Sequence, residues 1–521
     1  MRGSVLKRSD PSCRAVDPMR FRRAIVLVVL ACALAACTTA LGAVASSGEA
    51  APVRAVRLSS GMDHTLAISS GGWLFAWGSN DCGQLGDGAL GNQSAPKRIG
   101  AAGDWVSVAA GGLHSLALKS DGSVWAWGLN SSGQLGDGSA VGRSVPIRVG
   151  AGTDWVSLSA GFDHSMGLQA DGSLWAWGRN DHGQLGDGTM TDRASPTRIG
   201  AGTDWACISA GGGHSLAVKT DGSLWAWGSN DYGEIGDGTT TVRLIPTRVG
   251  SGTDWASISA GAHESLAIKA DGSLWMWGWN TFGRLGDGTN THRASPTRVG
   301  ADTDWVSASA GNAHSLAIKT DRSLWAWGYN RYGQLGDGTT TERWGPVRVS
   351  AGGSWSSVAG GNYHSVAGQS DGSFWAWGAN SSGQVGDGTI ANRATPFRLT
   401  MIKNPVAVTV PKVTGRVTRG STLTIAGKLS QPYEPGTTSI RVRIGYLKPG
   451  GRVWKQYGAE RSAIVTNSGS GAVYRYKFKL PRKAGRWTFK VYATEDYSHV
   501  PIVSASEIWK SKYSSRAIRV R

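Results

Sequence analysis

Histidine recurs along this sequence at a fixed interval. His64, His114, His164, His214, His314 and His364 each stand before a hydroxyl residue, separated by fifty residues or a multiple of fifty, and Glu264 holds the remaining place. A ring of imidazoles suggests metal binding. One per repeat, however, leaves them too dispersed for a tetrahedral site with bonds of about 2 Å. The expectation is a structural histidine, buried and satisfied by backbone groups. Aspartate recurs in the same way: Asp87, Asp137, Asp187, Asp237, Asp287, Asp337 and Asp387 mark GDG turns. Arg143, Arg193, Arg243, Arg293, Arg343 and Arg393 follow their aspartates by six residues. This spacing lacks the alternating DxDxDG ligand series of a calcium loop. A loop-internal Asp–Arg bond is expected instead, with neither metal nor cofactor.

Signatures of catalysis are missing. The chain contains no G-x-S-x-G, no P-loop and no H-E-x-x-H, and His263-Glu264-Ser265-Leu266-Ala267 lacks the second histidine. Polar residues copied into every repeat serve every repeat alike, whereas a catalytic constellation should break the pattern. The pair His263–Glu264 is the one polar break, and it is the candidate for an acid/base centre near the hub of a ring.

The elements that would position these residues come from a period of fifty, repeated seven times over 51–400 without insertion or deletion. GQLGDG begins at Gly83, Gly133, Gly183 and Gly333, with GEIGDG at Gly233, GRLGDG at Gly283 and GQVGDG at Gly383. WAWG begins at Trp125, Trp175, Trp225, Trp325 and Trp375, with FAWG at Phe75 and WMWG at Trp275. Each unit reads as four short antiparallel strands, WVSLSA-like, HSLAL-like, LWAWG-like and PTRVG-like. Between the second and third, Asp-Gly predicts a type I′ hairpin turn. The sixth repeat has Asp321-Arg322 there, and arginine tolerates positive φ poorly, so that turn is expected to differ. Trp125 and Trp127 share one face of their strand while Val124 and Ala126 share the other. Both faces are apolar, so units must stack radially into an all-β ring. At 40% hydrophobic, with 76 Gly and 25 Trp in 521 residues, the chain is neither disordered nor collagen-like.

These phrases resemble the regulator-of-chromosome-condensation repeat family, which implies a seven-bladed β-propeller over all seven repeats. WD40 and kelch patterns fit less well. Known members of that family include guanine-nucleotide exchange factors, a plant ultraviolet photoreceptor and a secreted bacterial β-lactamase inhibitor. The exchange factors use a wedge inserted in one blade, and repeats of equal length leave no room for one. The photoreceptor's Trp and Arg are absent from the variable GxxH pairs. Protein binding through the rim is the property that the resemblance carries over.

The second-to-third turn defines a bottom rim, so the GxxH segments and the long NxxGQLGDG excursions share the top. Variable positions concentrate there. Phe162, Arg179, Tyr232, Trp279, Phe282, Tyr329, Arg331, Tyr332, Trp344 and Tyr363 are the candidate partner-binding residues, because aromatic side chains and arginine anchor interfaces. The bland alternative is that several of them only cover blade tops.

Outside the repeats, Arg20, Arg22 and Arg23 precede an uncharged run from Ala24 to Ser47. Leu34-Ala35-Ala36-Cys37 resembles a bacterial lipobox, making Cys37 a lipidation candidate. Ala43-Val44-Ala45 offers ordinary cleavage, and an uncleaved anchor is the third reading. All three place the bulk of the chain outside the cytoplasm, reaching a membrane only through this leader. Cys82 and Cys207 occupy non-equivalent positions, so a disulfide between them is disfavoured.

After Thr400 the period vanishes. Residues 403–521 show TLTIAGKL, SIRVRIGYL, AVYRYKFKL and GRWTFKVYA, a pattern resembling bacterial immunoglobulin-like β-sandwiches. Residues 1–50 carry 7 basic and 3 acidic side chains, 51–400 carry 24 and 28, and 401–521 carry 23 and 5, giving +4, −4 and +18. Arg475, Lys477 and Lys479 share one face of their strand, as Arg441 and Arg443 do of theirs. Such a face suits anionic envelope material, against the bland reading of a solvated sheet. Nucleic acid is not the expected partner. The sequence thus points to a non-enzymatic exported propeller that binds a protein or envelope polymer. The rival readings are an exchange-type regulator and an envelope glycan hydrolase or lyase.

Overall fold

The computed structural model describes residues 57–69, 71–350 and 352–399. Beyond residue 400 it describes the backbone of strand segments and the exposed side chain of Lys477. Seven four-stranded antiparallel sheets, each built from one contiguous repeat, form a seven-bladed propeller. The blades span 57–98, 105–148, 155–198, 205–248, 255–298, 305–348 and 355–399, and are numbered 1 to 7 in that order.

Blade 2 shows the pattern. Trp105–Ala110 is its inner strand, followed by His114–Lys119, Val124–Gly128 and the outer Arg143–Arg148. Ala110 pairs with Ser115, His114 with Gly128 and Trp125 with Arg148. The outer strand starts at Arg143, three residues before the expected PTRVG-like segment, so the loop arginine is itself a strand residue. Its proline is tolerated because this strand is an edge.

The second-to-third turn is not the expected type I′. Lys119 N donates to Ser123 O at 3.0 Å and Gly122 N to Lys119 O at 3.0 Å, enclosing a three-residue loop. Only Gly122 has positive φ, +81°, which is a type I turn followed by a G1 bulge. The sixth repeat also departs from expectation, since its turn is the same. Arg322 adopts φ +67° and keeps the bond to Lys319 O at 2.9 Å. Its carbonyl must still receive Trp355 N at 3.2 Å, so the packed blade holds arginine in a glycine conformation. Below the same turns, Lys119 lies between the rings of Trp105 and Trp125, at 4.8 and 4.7 Å.

Among the described residues the core is divided into separate clusters. Each pair of neighbouring blades encloses its own cluster, such as Leu66, Ile68, Leu74, Leu85, Trp105 and Trp127 between blades 1 and 2. A polar joint spans six of the seven seams. His114 Nε2 meets Ser165 Oγ of the next blade at 3.0 Å, and that hydroxyl donates to Gln134 O at 2.8 Å. Trp177 Nε1 donates to the same carbonyl at 3.0 Å. A hydroxyl that gives its proton to a carbonyl must accept from the imidazole, so Nε2 carries a hydrogen. The Nε2 of each histidine is therefore met by a neighbouring blade's hydroxyl rather than by the backbone as expected, while Nδ1 is buried without a hydrogen-bond partner. Blades 7 and 1 close through the same joint, His364 Nε2 to Thr65 Oγ1 at 3.0 Å and Trp77 Nε1 to Gln384 O at 2.9 Å. Among the described residues no strand is exchanged between them.

Around the axis the backbone makes a second closure. Phe162 N donates to Gly211 O, Gly212 N to Gly261 O, Ala262 N to Gly311 O and Asn312 N to Gly361 O, at 3.2, 3.0, 3.3 and 3.0 Å. Asn362 N to Met62 O at 3.0 Å continues this belt across the seam between blades 7 and 1. A Cβ on Gly111 would lie 2.6 Å from Gly161 O and 2.3 Å from the His114 ring, so only glycine permits this approach.

Residues Asn404–Arg521 form a separate compact unit. One sheet orders Lys412–Thr414, Thr422–Lys428, Gly471–Lys479 and Ile464–Ser468. A second orders Lys455–Gln456, Thr438–Leu447, Gly485–Glu495 and Ser514–Val520, with Arg461–Ser462 paired beside Thr438–Leu447. The predicted strands are present as antiparallel pairs. The sandwich packing of their side chains, and the leader with Cys37, lie outside the described residues.

Burial holds His64, His164, His314 and His364 down to about 3, and His114 and His214 to about 4. Below their ordinary value of 6.5 the unfolded chain takes up protons that the folded ring refuses. Stability should be fully present above pH 6.5 and fall on acidification, by about 1.4 kcal/mol per pH unit for each imidazole. Thermal unfolding of the full chain from pH 7.5 to 4.5 should show a steep loss of Tm; a flat profile would contradict neutral buried histidines. Arg322→Gly should raise stability by about 1 kcal/mol by relieving positive φ, read as a higher unfolding midpoint.

Candidate functional site: the top face of blades 4 to 7

Leu129 N donates to Leu113 O at 2.9 Å, which puts the end of the third strand beside the GxxH segment. Ser120 N donates to Asp104 O at 2.9 Å at the opposite rim. The long excursions and variable positions therefore share the top, as expected. Each excursion is organised by the buried asparagine that opens NxxGQLGDG, a residue to which the sequence alone assigns no role. Asn130 Oδ1 accepts from Leu135 N at 2.9 Å, while Nδ2 donates to Asp137 Oδ1, Ser139 O and Val141 O at 3.1, 3.0 and 3.1 Å.

The Asp–Arg clip forms as expected. Arg143, Arg193, Arg243, Arg293 and Arg343 reach their aspartates at 2.8, 2.7, 2.5, 2.6 and 2.8 Å, and Arg393 pairs with Asp387. Blade 1 has Gln93 in place of arginine, and Lys97 substitutes at 2.6 Å from Asp87. Partial burial pushes the Asp237 carboxyl up, but hydrogen bonds from Thr239 and Arg243 outweigh it and hold the group below the usual carboxylate range.

Against this repeated scaffold, the departures gather in one sector. Tyr232 stacks on Trp279 with centroids 5.1 Å apart and planes at 18°. His263 and His292 meet Tyr232 edge-on at 5.6 and 5.3 Å. A second group joins Phe282 to Tyr329 at 4.7 Å and Tyr363 to Tyr329 and Tyr332 at 5.6 and 5.3 Å. Trp344, 46% exposed, stands against Gly283 beside this group. The other candidates are not brought together with them. Arg179 is exposed and paired with Asp181 at 2.5 Å, Phe162 lines the mouth of the axial channel, and Arg331 is exposed.

Four buried or half-buried polar residues lie beneath the aromatic sector. Glu234 and Arg284 occupy the position of the GQLG glutamine, and Glu264 that of the repeated histidine. His263 Nδ1 lies 3.3 Å from Glu234 Oε1, and Arg284 Nη1 lies 3.5 Å from Glu264 Oε2. Arg284 is 1% exposed; its Nη1 donates to Asn312 O at 2.7 Å, and its guanidinium lies 4.1 Å from the Trp279 ring. Burial pushes Glu264 up to about 7 despite Arg284. Burial also pushes Glu234 up, but the hydrogen bond from His263 and the nearby His214 bring it below its ordinary value. The sequence singles out His263 and Glu264 but not Glu234 and Arg284, which read there only as variants of GQLGDG.

The axial channel is lined by glycine, alanine, Ser60, Met62, Phe162, Asn312 and Asn362. None of these titrates as a side-chain acid or base, and Glu264 lies inside its blade rather than on the lining. Among the described residues, Cys82 and Cys207 are not joined by a disulfide. Arg243→Ala should speed amide exchange over 237–243 while leaving the other six excursions protected; exchange that rises around the whole ring would show that the clip is not local.

The RCC1-like domain family matches residues 36–252. The regulator of chromosome condensation (RCC1) repeat matches 271–318, 321–367 and 371–426, and a second family of that description matches 255–284 and 305–334. Among solved structures, human WBSCR16 is similar at 23% identity and TM-score 0.58, over 64% of this chain and 96% of that one. Yeast RCC1 (Prp20), in its complex with Kap60, is similar at 22% and 0.59, over 71% and 92%. Prp20p from Saccharomyces cerevisiae, described with its binding properties to Gsp1p and histones, gives 24% and 0.58, over 68% and 90%. With seven repeat-built blades and repeat matches along most of the ring, the chain belongs to the regulator-of-chromosome-condensation repeat family.

Proposed function

We propose that the protein is an exported, non-enzymatic binding propeller whose recognition surface is the top of blades 4 to 7. The observation that carries this reading is the coincidence of departures. The scaffold is copied seven times, yet the two aromatic groups, the three polar exchanges beneath them and His263 fall in adjacent blades. Aromatic side chains supply large contact area at low entropic cost and are enriched in interface anchors. Solved relatives support a protein partner, one being bound to Kap60 and another described as binding Gsp1p and histones. Seven uninterrupted repeats offer no inserted wedge for nucleotide exchange, and the channel lining offers no acid/base pair for a glycan hydrolase.

The tail unit, with 23 basic and 5 acidic residues, serves in this reading to dock the protein on anionic envelope material. Arg475, Lys477 and Lys479 occupy alternate positions opposite Ala426, Thr424 and Thr422, and so share one face of their strand. Arg441 and Arg443 share a face of theirs, opposite Tyr492 and Lys490. The leader delivers the chain across the membrane, with Cys37 as its lipid attachment point.

The test uses the full chain as bait on envelope and secreted fractions. Trp279→Ala with Tyr329→Ala should weaken capture of the propeller's partner by about tenfold or more at unchanged Tm. Replacing Arg475, Lys477 and Lys479 by serine should weaken salt-sensitive binding to anionic polymer without affecting that partner. Turnover of cell-wall glycan that is lost in Glu264→Gln, with capture intact, would overturn the non-enzymatic reading.

A further inference from the structure

The turn that opens each long excursion is the same in every blade but one. A bond from the glycine amide to the asparagine carbonyl closes it, as from Gly183 N to Asn180 O at 2.9 Å and Gly283 N to Asn280 O at 3.0 Å. In six blades a side-chain oxygen two residues further on accepts the amide of the residue before that glycine. Gln84 accepts from Cys82, Gln134 from Ser132, Gln184 from His182, Glu234 from Tyr232, Gln334 from Tyr332 and Gln384 from Ser382, all at 2.8 to 3.0 Å.

Blade 5 reverses this polarity. Arg284 has five donors and no acceptor, so it cannot receive the amide of Phe282. Its Nε instead donates to Thr281 O at 3.0 Å. Thr281 O and Phe282 N belong to one peptide plane, so that plane is turned over relative to the other six blades. Such a flip converts a type I turn into type II, which requires positive φ at the third residue and favours glycine there. Phe282 has φ +68° and ψ 13°, and it is the single non-glycine residue with positive φ among the described top-face residues.

We infer that Arg284 is the positioning residue of the recognition sector, turning over the Thr281–Phe282 peptide so that the Phe282 ring seats on Tyr329 while the same guanidinium backs Trp279. This rests on the recognition reading above. Glu264 completes the arrangement. It gives up the histidine-to-hydroxyl joint to Ser315 and places a carboxylate oxygen 3.5 Å from the buried guanidinium. The seam survives the exchange, because Ser315 Oγ and Trp327 Nε1 still donate to Arg284 O at 3.0 and 2.9 Å. One buried cation thereby reaches both aromatic groups, Trp279 by its face and Phe282 by the turn.

The test returns the blade to the pattern of its neighbours, with Glu264→His and Arg284→Gln together. A crystal structure of the full chain should then show negative φ at Phe282, its amide accepted by the introduced side-chain oxygen, and its ring off Tyr329. Positive φ retained in that variant would overturn the role of Arg284. Arg284→Lys keeps a cation beside Glu264 but also lacks an acceptor, so the flipped peptide should persist; negative φ there would overturn the inference equally, whether or not the double variant folds. Partner capture should fall about tenfold in the double variant. A reset turn with capture undiminished would defeat the recognition reading while leaving the positioning of the turn by Arg284 intact.

Discussion

Everything in the propeller hangs on one backbone carbonyl per blade. The carbonyl of Gln84, Gln134, Gln184, Glu234, Arg284, Gln334 or Gln384 receives an indole N–H and a hydroxyl from the next blade. Two donors converging on one buried oxygen fix the angle and height of each blade against its neighbour, in surroundings where an unmet donor costs about 1–3 kcal/mol. The second tryptophan of WAWG, the hydroxyl after the histidine and the histidine itself are copied because the joint uses all three. The acceptor is main chain, so the side chain on that residue is free to change. That freedom let glutamate and arginine enter blades 4 and 5 without opening a seam.

Much of this was legible in the sequence because the period is perfect. Seven equal copies reveal strand number, the top and bottom rims and the Asp–Arg clip, since residues doing the same local work recur at the same offset. The partner of each histidine was not legible, because it lies in the neighbouring copy, fifty-one residues on for five of the six and across the ring closure for His364, and periodicity cannot distinguish a contact within a copy from one between copies. The turn at Arg322 was misjudged for a related reason. Local preference disfavours arginine at positive φ, but six identical turns and the bond to Trp355 N impose the shared conformation.

The candidate site was legible only in its aromatic half. Tyr232, Trp279, Phe282, Tyr329, Tyr332 and Tyr363 stand out as variable positions, and the structure gathers them into two groups. Glu234 and Arg284 were hidden because glutamine, glutamate and arginine have similar length. What separates them is donor and acceptor character, which matters only once burial removes water. The charge division between the repeats and the tail needed no structure at all, being a matter of counting.

The closure of the ring has one more consequence. Blades 1 and 7 are each complete in themselves, and their seam uses the same joint as the others. No position in the circle is therefore topologically the first. The ends of the repeat array could be moved to the short bottom-rim linker between any two blades, and a circularly permuted ring would meet the same seven seams. Recognition by such a ring depends on which blades are neighbours in space, not on their order along the chain.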